Sequence, residues 1–456
     1  MTKESKFTFI DLFAGIGGFH HALSDFGGEC MLVAESDKKC RQVYRATWPE
    51  LPAGRIYEDI RDLTSLPDGS DRPAEQIQGL VPSHDVLCAG FPCQPFSKSG
   101  QQFGILDQTR GTLFHDILAI AQACTPRFII LENVRNLAGP KHRETLNTII
   151  ESLRAIGYRV SNDPAIFSPH LLPPELGGRP QRRERVFILA EHVGVEAAKI
   201  PMPTLIDHEP LDGWDPHSWQ VKDWVQVEEE ISNLKKYKLD TEDIACLKAW
   251  NAFIKGIPSD ALPGFPIWSD EFRLRPYFPK DAPQWKRDFI RRNSEFFREH
   301  KDFISEWRKK SWLPDRQFTV EDFIPSRRKF EWQARRVQPL QKDRNIWKLA
   351  IQFRPSGVRV KPLTYLPTLV AITQNSVIGP ERRFITPIEA ARMQGFPDWV
   401  FEKSGVDDAA AYKQAGNAVN VGVIRHVAKL LFEFGGVDWA NHQLPEKAFV
   451  PQMWNK

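Results

Sequence analysis

The sequence predicts an α/β fold: a doubly wound, mostly parallel sheet joined to a second, smaller, loop-rich domain. Three observations predict it. Short β-type runs alternate with helical stretches over residues 7–190, glycines and polar residues gather where those runs end, and the pattern breaks down after about residue 200. In doubly wound sheets ligands bind at the carboxyl ends of the strands, so those ends are where function is sought.

The elements follow in order. FTFIDLF (7–13), CMLVAE (30–35), HDVLCAG (84–90), RFIILEN (127–133) and RVFILA (185–190) read as strands buried on both faces. Residues 18–26, 38–47, 112–123 and 143–156 carry helical periodicity between them. From about 200, prolines and aromatics interrupt every pattern, as in PMPTLIDHEPLDGW and LPGFPIWSDEF. One helical stretch survives near 284–312, and its Trp285, Phe289, Phe296, Phe297 and Trp307 stand at helical spacing, which predicts core. YKQAGNAVNVGVIRHVAKLLFEF (412–434) returns to a glycine turn and an amphipathic helix able to pack on the first domain. The expected division is 1–199 plus 411–456 against 200–410.

Composition bounds the class. The 456 residues are 41% hydrophobic and 26% charged, with no apolar run near the ~18 residues of a membrane span. MTKESKF leads into a strand without a secretory pattern, so a cytoplasmic location is expected. Six cysteines without paired spacing argue against a disulfide framework and against a zinc site. The net charge of +3 is unevenly spread: residues 273–344 hold 20 Lys/Arg against 11 Asp/Glu. That surplus suits either a solvated face or a polyanion-binding surface.

Four stretches carry chemistry. In DLFAGIGGFHHAL (11–23), Gly15, Gly17 and Gly18 let a strand turn into a helix, a site for a nucleotide-like ligand or merely a tight turn. His20 stands where a dinucleotide fingerprint needs glycine, which disfavours a nicotinamide enzyme. Glu35 ends the next strand, suited to two ribose hydroxyls, and Asp59-Ile60 could grip an adenine by amino group and face. In GFPCQPFSKSG (90–100), Pro92 fixes the backbone beside Cys93, either burying a thiol in a turn or aiming a nucleophile. The polar, glycine-punctuated residues after it have the composition of a lid. LENVRNL (131–137) ends a strand on Glu132, placed for acid–base work, and QRRERVFILA (181–190) sends Gln181, Arg183 and Arg185 to one side. A thiol, a carboxylic acid, an arginine clamp and an adenosyl site are together what alkylation of cytosine C5 requires.

In their order DLFAGIGGF, AESD, EDI, GFPCQPFSKSG, LENV, GRPQRRERVFI, RRFITPIEAARMQGFPD and QAGNAVNVGV, the chain resembles the C5-cytosine DNA methyltransferases of bacterial restriction–modification systems. The resemblance covers most of 1–195 and 380–430 and implies an S-adenosylmethionine-dependent methyltransferase fold. It implies Cys93 as nucleophile, Glu132 as the acid at cytosine N3, and Arg183 and Arg185 as holders of cytosine and the catalytic groups. Phe13, Gly15 and Gly17 would line S-adenosylmethionine, Glu35 would take its ribose and Asp59 and Ile60 its adenine. Leu113 and Asn417 would complete that pocket. Ser36 departs from the family, which often has a larger residue there stacked on adenine. Gln94, Ser97 and Arg110 would belong to the loop closing on DNA behind a flipped cytosine. Residues 200–380 match no general pattern, as expected of a target-recognition region. The partners implied are double-stranded DNA and a separate restriction endonuclease, with the chain acting as a monomer. A tRNA methyltransferase and a catalytically silent DNA-binding protein are the rival readings.

Overall fold

The computed structural model describes residues 6–92, 109, 112–369 and 376–439, which form two compact units, Met1–Trp219 with Pro387–Lys456 and Gln220–Thr386. The main sheet of the first unit has eight strands among the described residues: β1 (Phe7–Leu12), β2 (Gly28–Ala34), β3 (Ile56–Tyr57), β4 (Val86–Gly90), β5 (Phe128–Val134), β6 (Tyr158–Val160), β7 (Ala165–Phe167) and β8 (Arg185–His192). Their order is β3-β2-β1-β4-β5-β8-β6, with β7 also paired to β8. The first five pair parallel, whereas β8 runs antiparallel to β5, β6 and β7. The order reverses between β1 and β4, and this switch point is where such sheets bind ligands.

Period-two alternation explains the two cores. From β1, Phe7 and Phe9 face one side with Val33, Cys88 and Phe128, while Ile10 and Leu12 face the other with Leu32, Leu87 and Ile129. Helices α1 (Gly18–Ser24) and α2 (Lys38–Thr47) cover the first side; α3 (Leu113–Cys124) and α4 (Arg143–Ala155) cover the second. All four match the stretches read as helical from sequence.

The second unit has its own core and a six-stranded sheet absent from the sequence reading. Its strands are β9 (Ile267–Trp268), β10 (Lys329–Trp332), β11 (Ala350–Arg354), β12 (Gly357–Lys361), β13 (Ser376–Ile378) and β14 (Arg383–Phe384), in the order β9-β10-β12-β11-β13-β14. Helix α5 (Thr241–Gly256), capped by the Asp240 carboxylate on the Asp243 N–H, buries Trp250 against Phe330 with ring centroids 4.8 Å apart. The helical stretch near 284–312 is two helices, α6 (Gln284–Glu299) and α7 (Lys301–Lys309). Phe296, Phe297 and Trp307 are buried as expected, Phe289 is half-buried, and Trp285 departs from the core reading, being 59% exposed.

The chain then re-enters the first unit through α8 (Pro387–Met393), α9 (Asp408–Asn417) and α10 (Val421–Phe434), and α10 packs on α1. The boundaries of the compact units therefore lie at 219/220 and 386/387, not at the changes of composition near 200 and 410. Residues 200–219 join the first unit because the indoles of Trp214 and Trp219 both donate to the His170 carbonyl, at 3.0 and 2.9 Å. Residues 387–410 join it through bonds such as Arg179 Nε to the Arg392 carbonyl, 3.0 Å. Among the described residues no helix is long and apolar enough to cross a membrane.

Candidate active site

The turn after β1 begins one wall of a cavity of about 500 Å³. Phe13, Gly15 and Gly17 all have positive φ (58°, 58° and 81°), so the backbone doubles back sharply. Phe13 holds this left-handed conformation without being glycine, at a strain of about 1–2 kcal/mol. The released Gly15 N–H donates to Glu35 Oε2 at 2.8 Å, and the Asp37 N–H donates to Oε1 at 2.7 Å. Burial raises the Glu35 pKa, and these two amides act against that rise. Gly17 lies beyond the lining: a Cβ there would sit 2.2 Å from the Trp48 ring, so its absence lets that indole close on the turn.

Further along this wall, Arg41 donates to the carbonyls of Glu35 and Ser36 (2.8 and 2.7 Å) and pairs with Glu58, fixing the β2–α2 corner. Asp59 accepts from Arg61, whose guanidinium holds its carboxyl below the usual range, and buried Ile60 presents an apolar face beside it. Leu113 opens α3 behind the Thr112 cap, and Asn417 ends α9; both line the same cavity.

The other end of the cavity carries a charged pair. Parallel pairing sets Glu132, near the end of β5, beside Gly90 at the end of β4, and Glu132 Oε1 meets Arg185 Nε at 3.0 Å. Glu132 is 8% exposed, and burial raises its pKa while the Arg185 and Arg183 charges oppose the rise. Arg183, 1% exposed, donates from Nη2 to the Gly416 and Ala418 carbonyls, both at 2.9 Å. Its backbone N–H is held by Ser168 Oγ at 2.8 Å, and burial lowers its pKa to about 9, still well above neutrality. Asn133 Nδ2 donates to the Phe91 carbonyl at 2.9 Å, so the segment leaving β4 is tied to β5 beside the pair. A single concavity thus joins acceptors suited to a nucleoside to a buried acid–guanidinium pair.

The model for C-5 cytosine-specific DNA methylases matches residues 7–433, across both units. The chain belongs to that family. It is 38% identical over 503 aligned residues to the Type II methyltransferase M.AluI of Cellulosimicrobium cellulans, covering 93% of this chain and 92% of that protein. It is 30% identical over 470 residues to the Type II methyltransferase M.BanI of Aneurinibacillus aneurinilyticus, covering 96% and 99% of the two chains. The match to the Type II methyltransferase M.HpaII of Haemophilus parainfluenzae, 37% over 249 residues, spans 54% of this chain and 59% of that one.

In this DNA cytosine methylase, Phe13, Gly15, Glu35, Asp59, Ile60, Leu113, Asn417, Glu132, Arg183 and Arg185 all come together around one cavity, together with Ser36. Gly17 does not. Cys93, Gln94, Ser97 and Arg110 lie outside the described residues. Sequence reasoning missed the residues that hold others in place: Arg41 under Glu35, Asn133 on Phe91, and Ser168 on Arg183. Asn133 stands inside the quoted LENV motif, whereas nothing around Ser168 marks it in the sequence.

Proposed function

We propose that this methylase transfers a methyl group from S-adenosylmethionine to C5 of a cytosine turned out of duplex DNA, through a transient bond between Cys93 and cytosine C6. The observation that carries the reading is the shared cavity, with acceptors for a nucleoside at one end and the Glu132–Arg185 pair at the other. Its residues fit the cofactor. Glu35 and Asp59 are acceptors suited to ribose hydroxyls and an adenine amino group, Ile60 and Phe13 offer apolar faces, and Leu113 and Asn417 complete the lining. When bound, the cofactor supplies an electrophilic methyl on a sulfonium.

The chain's own groups make cytosine receptive. Cys93, as thiolate, adds its sulfur to C6; Glu132 delivers a proton to N3, so the charge reaching the ring is neutralised and C5 becomes enamine-like. Burial favours the protonated carboxyl that this step needs. Arg185 holds that carboxyl in place, and Arg183, bound to two carbonyls of the 416–418 turn, ties the clamp to the wall opposite. After C5 has taken the methyl, loss of its proton to a base and expulsion of the Cys93 thiolate restore the aromatic ring, and N3 returns its proton to the Glu132 carboxylate. Gln94, Ser97 and Arg110 follow in the segment proposed to close on the DNA. The second unit is proposed to select the target sequence, the chain to act as a monomer, and a separate endonuclease to share the target, since the relatives above are named Type II methyltransferases.

The test is transfer of tritiated methyl to duplex DNA, with tRNA alongside and the product nucleoside identified. Label on C5 of cytosine in DNA, abolished in Cys93→Ser, is the expected result. Label on adenine, on the exocyclic amine or on tRNA alone would overturn the reading.

A further inference from the structure

One polar side chain of the cavity lining has no task in the chemistry set out above. Gln414 stands on α9 among Ala410, Ala411 and Ala415, on the buried face of that helix. It is 3% exposed and lines the cavity. Neither its amide nitrogen nor its carbonyl oxygen makes a full hydrogen bond among the described residues. Burial raises the pKa of the Cys40 thiol, and the Gln414 amide, close by, acts weakly against that rise. A thiol is a poor donor and a poor acceptor, so it does not satisfy the amide. Burying an amide without partners costs free energy that leucine or methionine at this position would not.

The neighbouring polar groups are engaged or open to solvent. Asp37 caps α2 and pairs with Lys413 at 2.9 Å, and Glu58 pairs with Arg41. Asp59 is held by Arg61, and Asn133 by the Phe91 carbonyl. Ser36 and Asn417 are exposed. Among the described lining residues, Gln414 thus combines burial with an unbonded donor and an unbonded acceptor. Such an amide matches a zwitterion, whose carboxylate takes the N–H and whose ammonium gives one. The proposed cofactor has such a part. Its adenosine is accounted for by Glu35, Asp59 and Ile60, whereas no side chain has been assigned to its α-amino acid tail.

We infer that Gln414 binds the amino acid tail of the sulfonium cofactor, donating from its amide nitrogen to the α-carboxylate and accepting at its carbonyl from the α-ammonium. This rests on the cofactor reading above, and the experiment separates the two. Full-length wild type and Gln414→Met are titrated calorimetrically with S-adenosylhomocysteine, which carries the tail, and with 5′-methylthioadenosine, which lacks it. The substitution keeps the length of the side chain and removes both polar atoms. It should weaken S-adenosylhomocysteine binding about tenfold or more, the loss of at least one hydrogen bond to a charged group. Methylthioadenosine affinity should be unchanged; if too weak to titrate directly, it is read by displacement of S-adenosylhomocysteine. Without ligand, the Tm of the variant should equal or exceed that of wild type, because an apolar chain has replaced an unpaired buried amide. Gln414→Leu should give the same split and takes the place of the methionine variant if that one fails to fold. Equal loss on both ligands, or no loss on either, overturns the inference and leaves the cofactor reading intact. So does a ligand-free Tm that falls in both variants, since the amide would then be holding the fold. A wild type that binds methylthioadenosine as tightly as S-adenosylhomocysteine overturns it as well. A wild type that binds neither removes the cofactor reading, and the inference with it.

Discussion

At the scale of single residues, two buried carboxyls act in different ways. Glu132 has a guanidinium 3.0 Å away and lines the cavity. If it supplies the N3 proton, Glu132→Gln should lower kcat roughly 10²- to 10⁴-fold while leaving cofactor affinity near the wild-type value; isothermal titration and single-turnover rates check both halves. Asp11 lies fully buried under the β1 turn; among the described residues the His20 backbone N–H is its source of compensation, and no full hydrogen bond reaches either oxygen. Burial pushes its pKa well above the ordinary carboxyl value. The unfolded chain therefore ionises first, from about pH 4, and between the two pKa values unfolding releases a proton. Stability from this group is complete below about pH 4 and declines as pH rises. Asp11→Asn should abolish that decline, so its Tm advantage over wild type should grow as pH rises above about 4; a constant difference would refute this. Trp285 shows where residue-level reading failed. Helical spacing predicted core, but Trp285 lies five positions before buried Ile290, about 140° round α6 from the face that carries it.

Elements were legible in proportion to how continuously they are buried. The five long strands of the first unit and its four covering helices stand within a few residues of their sequence-read positions, because each is an unbroken apolar run or a clear 3.6-residue stripe. The two- and three-residue strands β3, β6 and β7 are too short to show a period. The second sheet escaped notice for the same reason: its strands span two to five residues and are separated by prolines and charged turns. The Gly15 turn, Glu35 and Glu132 were legible because each marks the end of a strand of the readable sheet; the residues that brace them were not, since bonds such as Ser168 to Arg183 depend on antiparallel β7–β8 pairing. The turn between β1 and α1 makes the element-scale prediction. At Gly17 (φ 81°) any side chain meets the Trp48 ring. Gly17→Ala should destabilise by about 1–2 kcal/mol for the left-handed backbone alone, with the clash adding to it, and thermal unfolding measures the sum. A variant as stable as wild type would show that the turn relaxes freely.

For the whole molecule, the two units differ in continuity. The second is one uninterrupted stretch, Gln220–Thr386, with its own core around Trp250, Phe253, Phe330 and Val358. A 167-residue chain with such a core exceeds the size at which domains fold alone. Expressed by itself it should unfold in one cooperative transition by circular dichroism, and a featureless slope would show that it needs the rest of the chain.

The first unit, by contrast, is made in two instalments. Arg183 donates to carbonyls 233 and 235 positions further along the chain. At about 5–20 residues per second, a ribosome needs roughly 10–50 s to reach them after making the arginine. During that interval the nascent chain lacks these two carbonyl acceptors of Arg183, and its cavity lacks the wall that α9 completes. The site of a growing polypeptide is thus incomplete until α9 has emerged, so its assembly trails the synthesis of Arg183 by that interval.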